Sequence, residues 1–272
     1  MGAGLFQSYR ECTECADDIL GYSIEALCQS DPGRMLAQTQ FTQPALYVVN
    51  AMSYWRYLDT GGTRPDFLAG HSLGEFNALL AADVFGFEEG LRLVKQRGLL
   101  MGQAVGGAMA AVIGMSEVQV RARLVEASMD AVTVANINGP FQVVISGAER
   151  DVASARTLFA DAQAYIRLNV SGAFHSPSMQ AAAEGLAAVM EDIEFAVPAI
   201  TVIANTTAQP HAPGLVQQCL RRQLCEPVRW VESIDYLLRA GVEHFEEIGP
   251  GSTLTKLIRA IRGPGASVAA QR

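Results

Sequence analysis

The run FLAGHSLGEFNALLAA, from Phe67 to Ala82, constrains this chain more than any other stretch. An apolar segment breaks at Gly-His-Ser-Leu-Gly and restarts at once with helical spacing. A strand, a G-x-S-x-G turn and a helix in that order form the arrangement of a nucleophile elbow. A turn this tight holds Ser72 in strained backbone, and Gly70 and Gly74 remove a Cβ at the two flanks where strand and helix approach. The helix that follows directs free N–H groups and a positive dipole end at the reacting oxygen. The Leu73 N–H is the expected oxyanion donor. A glycine-rich structural turn reads the same in isolation; the strand before and the helix after favour the nucleophile.

Short apolar runs alternate with helical stretches, the pattern of an α/β fold. Helices are expected over Thr42–Tyr57, Gly74–Ala82 and Phe87–Val105, with a short buried strand at Phe67–Ala69. The composition then changes. A strand at Ala108–Gly114, a helix at Ser116–Met129, strands at Val132–Asn136 and Phe141–Ser146, a helix at Glu149–Ala162 and a strand at Ala164–Val170 give the order β-α-β-β-α-β. That is the ferredoxin-like unit, with Asn138-Gly139-Pro140 as its hairpin turn. The expected architecture is an α/β-hydrolase-like large lobe with a parallel sheet, residues 1–107 and 171–272. A ferredoxin-like small lobe, residues 108–170, is inserted in it. Helices at Ser176–Met190, Leu215–Leu224, Ser233–Ala240 and Thr253–Arg262, with strands at Ile200–Ala204 and His244–Ile248, complete the large lobe.

A serine hydroxyl needs a base. Of the four histidines, His71 adjoins Ser72 and points away from it, His211 lies in a Pro-His-Ala-Pro turn, and His244 opens a strand. His175 follows a strand and precedes a helix where the small lobe rejoins the large one. It is therefore a candidate base at the carboxyl end of a sheet, or else a surface-loop histidine. No acidic residue stands out as a third member, which leaves a backbone carbonyl to orient the imidazole. The net charge of −8 argues against bulk attraction to nucleic acid or an anionic membrane. No uncharged apolar run is long enough to span a bilayer, and no signal peptide precedes the first helix. The five cysteines read as free thiols of a cytoplasmic protein. Cys12-Thr-Glu-Cys15 lacks the second pair a metal site needs, so no metal is expected.

Five motifs in order carry a resemblance over nearly the whole chain. They are Ala69-Gly-His-Ser-Leu-Gly-Glu75, Lys95-Gln-Arg-Gly-Leu-Leu-Met101, Gly172-Ala-Phe-His-Ser176, Pro227-Val-Arg-Trp230 and Glu247-Ile-Gly-Pro-Gly251. The chain resembles malonyl-CoA:acyl carrier protein transacylases, most of all the discrete, trans-acting acyltransferases of polyketide synthases. The resemblance implies that Ser72 is the acylated nucleophile and His175 its base. It implies that Gln223 orients the histidine through its main-chain carbonyl. Arg97, which periodicity alone reads as an exposed helix residue, matches the arginine that holds the malonyl carboxylate. A planar guanidinium suits that task because it binds carboxylate bidentately. His71, Met101 and Phe174 are implied at the substrate side, with the bulky Phe174 suited to malonyl over branched groups. Gln43 matches a position near the pocket and receives no role.

The resemblance also implies malonyl-CoA and an acyl carrier protein as partners, and no cofactor beyond the phosphopantetheine of the carrier; a monomer is the default expectation. An acidic carrier needs a basic patch, for which Arg259 and Arg262 late in the chain are the candidates. The family begins with a strand and a Gly-Gln-Gly-Ser-Gln loop that have no counterpart here. Either the sequence is trimmed there or the protein lacks them; in the second case an open sheet edge and one oxyanion donor fewer are the expected consequences. The alternatives are an acyl hydrolase, a transferase of non-malonyl groups between carriers, and a non-catalytic carrier-binding scaffold.

Overall fold

The structure is a computed structural model that describes residues 1–263 and the backbone of 268–270. The chain opens with helices: α1 (Leu5–Ser8), α2 (Arg10–Leu20), α3 (Ile24–Ser30) and the long α4 (Thr39–Asp59). β1 (Phe67–Ala69), α5 (Gly74–Ala81) and α6 (Phe87–Gln103) form the unit around the serine. β2 (Gly107–Ile113), α7 (Glu117–Glu126), β3 (Thr133–Gly139), β4 (Gln142–Ala148), α8 (Glu149–Ala155) and β5 (Ala164–Arg167) follow. The remainder is α9 (Gln180–Met190), β6 (Thr201–Ile203), α10 (Val216–Gln223), α11 (Trp230–Arg239), β7 (Phe245–Glu247), α12 (Thr253–Arg262) and β8 (Val268–Ala270).

β2 to β5 form one antiparallel sheet in the order β3-β4-β2-β5, the ferredoxin-like topology expected from the element order. Its own core, built from residues such as Val112, Val120, Ile145 and Phe159, is separate from that of the large lobe. Two details differ from the sequence reading. Asn138 and Gly139 lie within β3, because two register shifts lengthen that strand, and Gly139 pairs with Gln142 around Pro140 and Phe141. The helix after Glu149 ends at Ala155 and tightens into a 3₁₀ turn, Arg156–Phe159.

The large lobe contains parallel strands, as expected, but as two separate pairs. β1 pairs with β6 in register Phe67↔Thr201 to Ala69↔Ile203, and β7 pairs with β8. A cavity of about 930 Å³ lies between β1 and β7, lined by both strands and by Tyr54, Trp230 and Ile258. This leaves β1 only partly buried, where the apolar run predicts full burial. The lobes are stitched by Val228, whose N–H donates to the Ala135 carbonyl while its carbonyl accepts from the Ile137 N–H, both at 2.9 Å. α4 and α6 pack closely because Gly98 has no side chain; a Cβ there would lie 3.0 Å from Gln40 Cα. That approach brings Gln43 of α4 to Arg97 of α6. α4 begins three residues before the expected start, so Pro44 falls inside it.

Candidate active site

β1 feeds directly into the turn that carries Ser72. Ser72 has φ +50°, a left-handed conformation that non-glycine residues adopt only when their surroundings enforce it. A Cβ on Gly70 would collide with the carbonyl of Gly74, so glycine is required there. Gly74 is different. A Cβ on it would meet nothing within 4 Å, so only one of the two flanking glycines answers to a steric demand. The elbow is pinned from behind by Asn205 at the end of β6. Its Oδ1 accepts from the Ser72 N–H and its Nδ2 donates to the Gly70 carbonyl, each at 2.7 Å. The Leu73 N–H, at the start of α5, enters no hydrogen bond among the described residues. It is the backbone donor left open beside Ser72.

His175 also has positive φ, +56°, and is buried. Its Nε2 stands 2.8 Å from Ser72 Oγ, and its Nδ1 stands 2.7 Å from the main-chain carbonyl of Gln223 at the end of α10. A carbonyl only accepts, so Nδ1 carries the proton and Nε2 offers its lone pair to the serine hydroxyl. Burial, then the nearby Arg97 charge, pushes the imidazole pKa down to about 3.

Arg97 is 1 % exposed, against the exposed position that helix periodicity predicts. Nη2 donates to Ser72 Oγ at 3.0 Å and to Gln223 Oε1 at 2.9 Å, and Nη1 donates to Gln43 Oε1 at 2.5 Å. Nε has no partner among the described residues, and the guanidinium lies 5.5 Å from the Phe76 ring centre. Burial lowers its pKa to about 10, against a favourable Glu75 charge. The cation thus rests on two neutral amide carbonyls, and no carboxylate among the described residues contacts it.

The other expected site residues are placed as follows. His71 Nε2 meets Asn138 Oδ1 of β3 at 2.7 Å and its ring lies against Trp230, so it bridges the lobes and points away from Ser72. Met101 is buried and accepts a hydrogen bond from Gln43 Nε2 at 3.3 Å through its sulfur. It therefore acts on Arg97's partner. The Phe174 ring packs over Gly172 within the large core. Arg259 borders a different cavity, about 750 Å³, with Gly2, Ser53 and Gly251. Arg262 donates to the Glu243 carbonyl at 2.7 Å and stacks on Phe245. Neither arginine is among the groups around Ser72. Cys12 and Cys15 lie on α2, and burial pushes the Cys12 thiol up to about 12, opposite to a reactive thiol pair.

Glu75, Asn205 and Asn138 escaped the sequence reading. Glu75 sits in the first turn of α5, where an acid ordinarily complements the helix dipole at the surface. Here it is 1 % exposed. Asn205 had a legible signal: a polar residue ending an apolar strand at the carboxyl edge of a parallel sheet.

Comparison with known proteins matches residues 3–269 to the acyl transferase domain family. The polyketide biosynthesis malonyl CoA-acyl carrier protein transacylase PksC of Bacillus subtilis (strain 168) is 47% identical over 96% of this chain and 92% of its own. The crystal structure of a malonyl CoA-acyl carrier protein transacylase from Burkholderia pseudomallei superposes with a TM-score of 0.93 at 49% identity, covering 96% of this chain and 92% of that one. A malonyl-transacylase solved in complex with its type II PKS acyl-carrier protein matches with a TM-score of 0.93 at 36% identity, covering all of this chain and 91% of its own. Shared sequence and shared backbone over so much of both chains leave one assignment: this chain belongs to the acyl transferase domain family, among the malonyl CoA-acyl carrier protein transacylases.

Proposed function

We propose that the chain transfers a malonyl group from malonyl-CoA to the phosphopantetheine thiol of an acyl carrier protein through a malonyl ester on Ser72. The Ser72 hydroxyl attacks the thioester carbonyl and gives its proton to His175 Nε2. The oxyanion forms against the Leu73 N–H. The C–S bond then breaks and the sulfur takes the proton as free CoA. In the second half the carrier thiol gives its proton to His175 and attacks the ester, and Ser72 recovers its hydrogen as the C–O bond breaks. The balance closes without a further cofactor.

The carrying observation is Arg97: buried, 3.0 Å from Ser72 Oγ, and without a counter-charge in contact among the described residues. A buried unpaired cation favours an anion strongly. An acyl group ending in carboxylate supplies one at the right distance from the nucleophile, and an acetyl group does not. The same carboxylate offsets the positive charge that depresses His175, so the base strengthens when the correct substrate is seated. Relatives named for polyketide biosynthesis support a role in that assembly, with fatty acid synthesis as the alternative. Five free cysteines suit a reducing cytoplasm. We take residues 108–170 as the small lobe, bordering the site through the Asn138–His71 contact. The acidic carrier is assigned to the surface bearing Arg259 and Arg262.

The test is intact-protein mass after mixing with malonyl-CoA or acetyl-CoA, beside Ser72→Ala. A malonyl-sized gain from malonyl-CoA alone, absent in the variant, is expected. Steady release of CoA without an adduct identifies a hydrolase instead, and neither adduct nor release refutes an enzymatic role.

A further inference from the structure

Behind the nucleophile lies a buried polar cluster that the transfer chemistry does not use. Glu75 Oε1 accepts from His211 Nε2 at 2.7 Å. Glu75 Oε2 accepts from Gln223 Nε2 at 2.6 Å and from the Asn205 N–H at 3.2 Å. The Gln223 side chain is fully buried, and its second N–H donates to the Ser72 carbonyl at 3.0 Å. Both hydrogens of the amide are therefore committed, and Oε1 faces Arg97.

A glutamine amide is nearly symmetric in shape, so packing does not decide which end faces which neighbour. Here the neighbours decide. An ionised carboxylate accepts only, and an arginine donates only. With the amide reversed, oxygen would face the Glu75 carboxylate and N–H would face the Arg97 N–H, and both contacts become repulsive. The Asn205 N–H, which can only donate, also points at Glu75 Oε2, so that oxygen is an acceptor. Although burial opposes charging His211, contact with Cys219 and Glu75 raises its pKa to about 9.

We propose that Glu75 is a positioning residue for acyl selectivity: by accepting from Gln223 Nε2 it turns the Gln223 carbonyl to Arg97 and so holds the guanidinium where the acyl carboxylate docks. The preference for a carboxylated acyl group then depends on a residue that touches neither substrate nor nucleophile side chain. The inference rests on the malonyl-transfer reading above.

The experiment measures initial rates of Ser72 acylation by malonyl-CoA and by acetyl-CoA, in wild type, Glu75→Gln, Gln223→Met and the double variant. If wild type forms no malonyl adduct, the transfer reading itself fails and this inference falls with it. If wild type reacts, the ratio of malonyl to acetyl rates is the readout. Loss of folded or generally active protein lowers both rates alike and leaves the ratio unchanged. We expect the ratio to fall about tenfold or more in Glu75→Gln, the size of one lost charge-assisted hydrogen bond. Gln223→Met keeps the main-chain carbonyl for His175 and should lower the ratio similarly. The double variant should be no worse than either single, since both break one chain of contacts. An unchanged ratio in Glu75→Gln, or additive losses in the double variant, overturns the proposal. Should Glu75→Gln fail to fold, Gln223→Met decides alone: a lowered ratio supports the relay and an unchanged ratio refutes it.

Discussion

Replacing Arg97 with glutamine separates the carboxylate-binding role proposed for it from its electrostatic effect on His175. The guanidinium is 1 % exposed and has Nη2 within 3.0 Å of Ser72 Oγ. A malonyl carboxylate seated there gains two charge-assisted hydrogen bonds, each worth about 1.5–3 kcal/mol. Losing both slows malonylation by about a hundredfold to ten-thousandfold, at tenfold per 1.36 kcal/mol. Acetylation has no carboxylate to lose and should stay within a few-fold. The second effect concerns pH. Burial and then the Arg97 charge hold His175 at about 3, so in wild type the base is neutral across the range above about pH 4. Removing the cation lets the pKa rise toward its ordinary value, so the acid limb of acetylation moves to higher pH in Arg97→Gln. Stability shares this sign. The folded state resists protonating His175 more than the unfolded chain does. Wild type therefore holds full stability above about pH 6.5 and loses this contribution as pH falls toward 3, a loss the variant softens. Rapid-quench acylation followed by intact mass, from pH 4 to 8, gives both readings. Equal losses with the two thioesters refute the carboxylate role. An unmoved acid limb refutes the electrostatic one.

Two further outcomes follow from the geometry. Gly70→Ala should cost about 3 kcal/mol or more, since its methyl meets the Gly74 backbone, whereas Gly74→Ala should melt like wild type; thermal unfolding and fluorophosphonate labelling of Ser72 check both. Charge reversal at Arg259 and Arg262 should raise the KM for the carrier protein severalfold at low salt and leave that for malonyl-CoA unchanged; equal effects on both rule out docking on that surface.

The sequence made the elbow legible because strand, turn and helix are adjacent in the chain and each has a local cause. The ferredoxin-like unit was legible for the same reason: its strands alternate with helices in a fixed order. The burial of Arg97 was not. Lys95 and Gln96 beside it give that turn of α6 a polar face, and it is covered by Gln43 of α4, which Gly98 admits, together with Ser72, Phe76 and Gln223. Glu75 and Asn205 were hidden differently. Their partners lie more than a hundred residues away, Gln223 for Glu75 and Ser72 for Asn205. No spacing rule reaches across such a gap. The division of the parallel strands into two pairs was equally unreadable, because pairing depends on which edges meet in space.

On the proposed reading, the absence of an acid behind His175 among the described residues and the clamp on the acyl carboxylate have one explanation. A carboxylate behind His175 would stabilise the imidazolium that forms during transfer, as in a serine–histidine–aspartate triad. It would also stand near Arg97, because Gln223 gives its main-chain carbonyl to His175 and its side-chain carbonyl to Arg97. An acid in that position would pair with the guanidinium and leave it little reason to seek an acyl carboxylate. Neutral carbonyls from Gln43 and Gln223 fix the direction of the arginine without cancelling its charge. The nearest acid, Glu75, is kept one residue back, with His211 in contact as its partner. The cost of this arrangement is a weakened base: burial, then the Arg97 charge, holds His175 at about 3. On the malonyl-transfer reading proposed above, that cost falls when the carboxylate binds, and the groups that select the acyl chain also govern when the serine is activated.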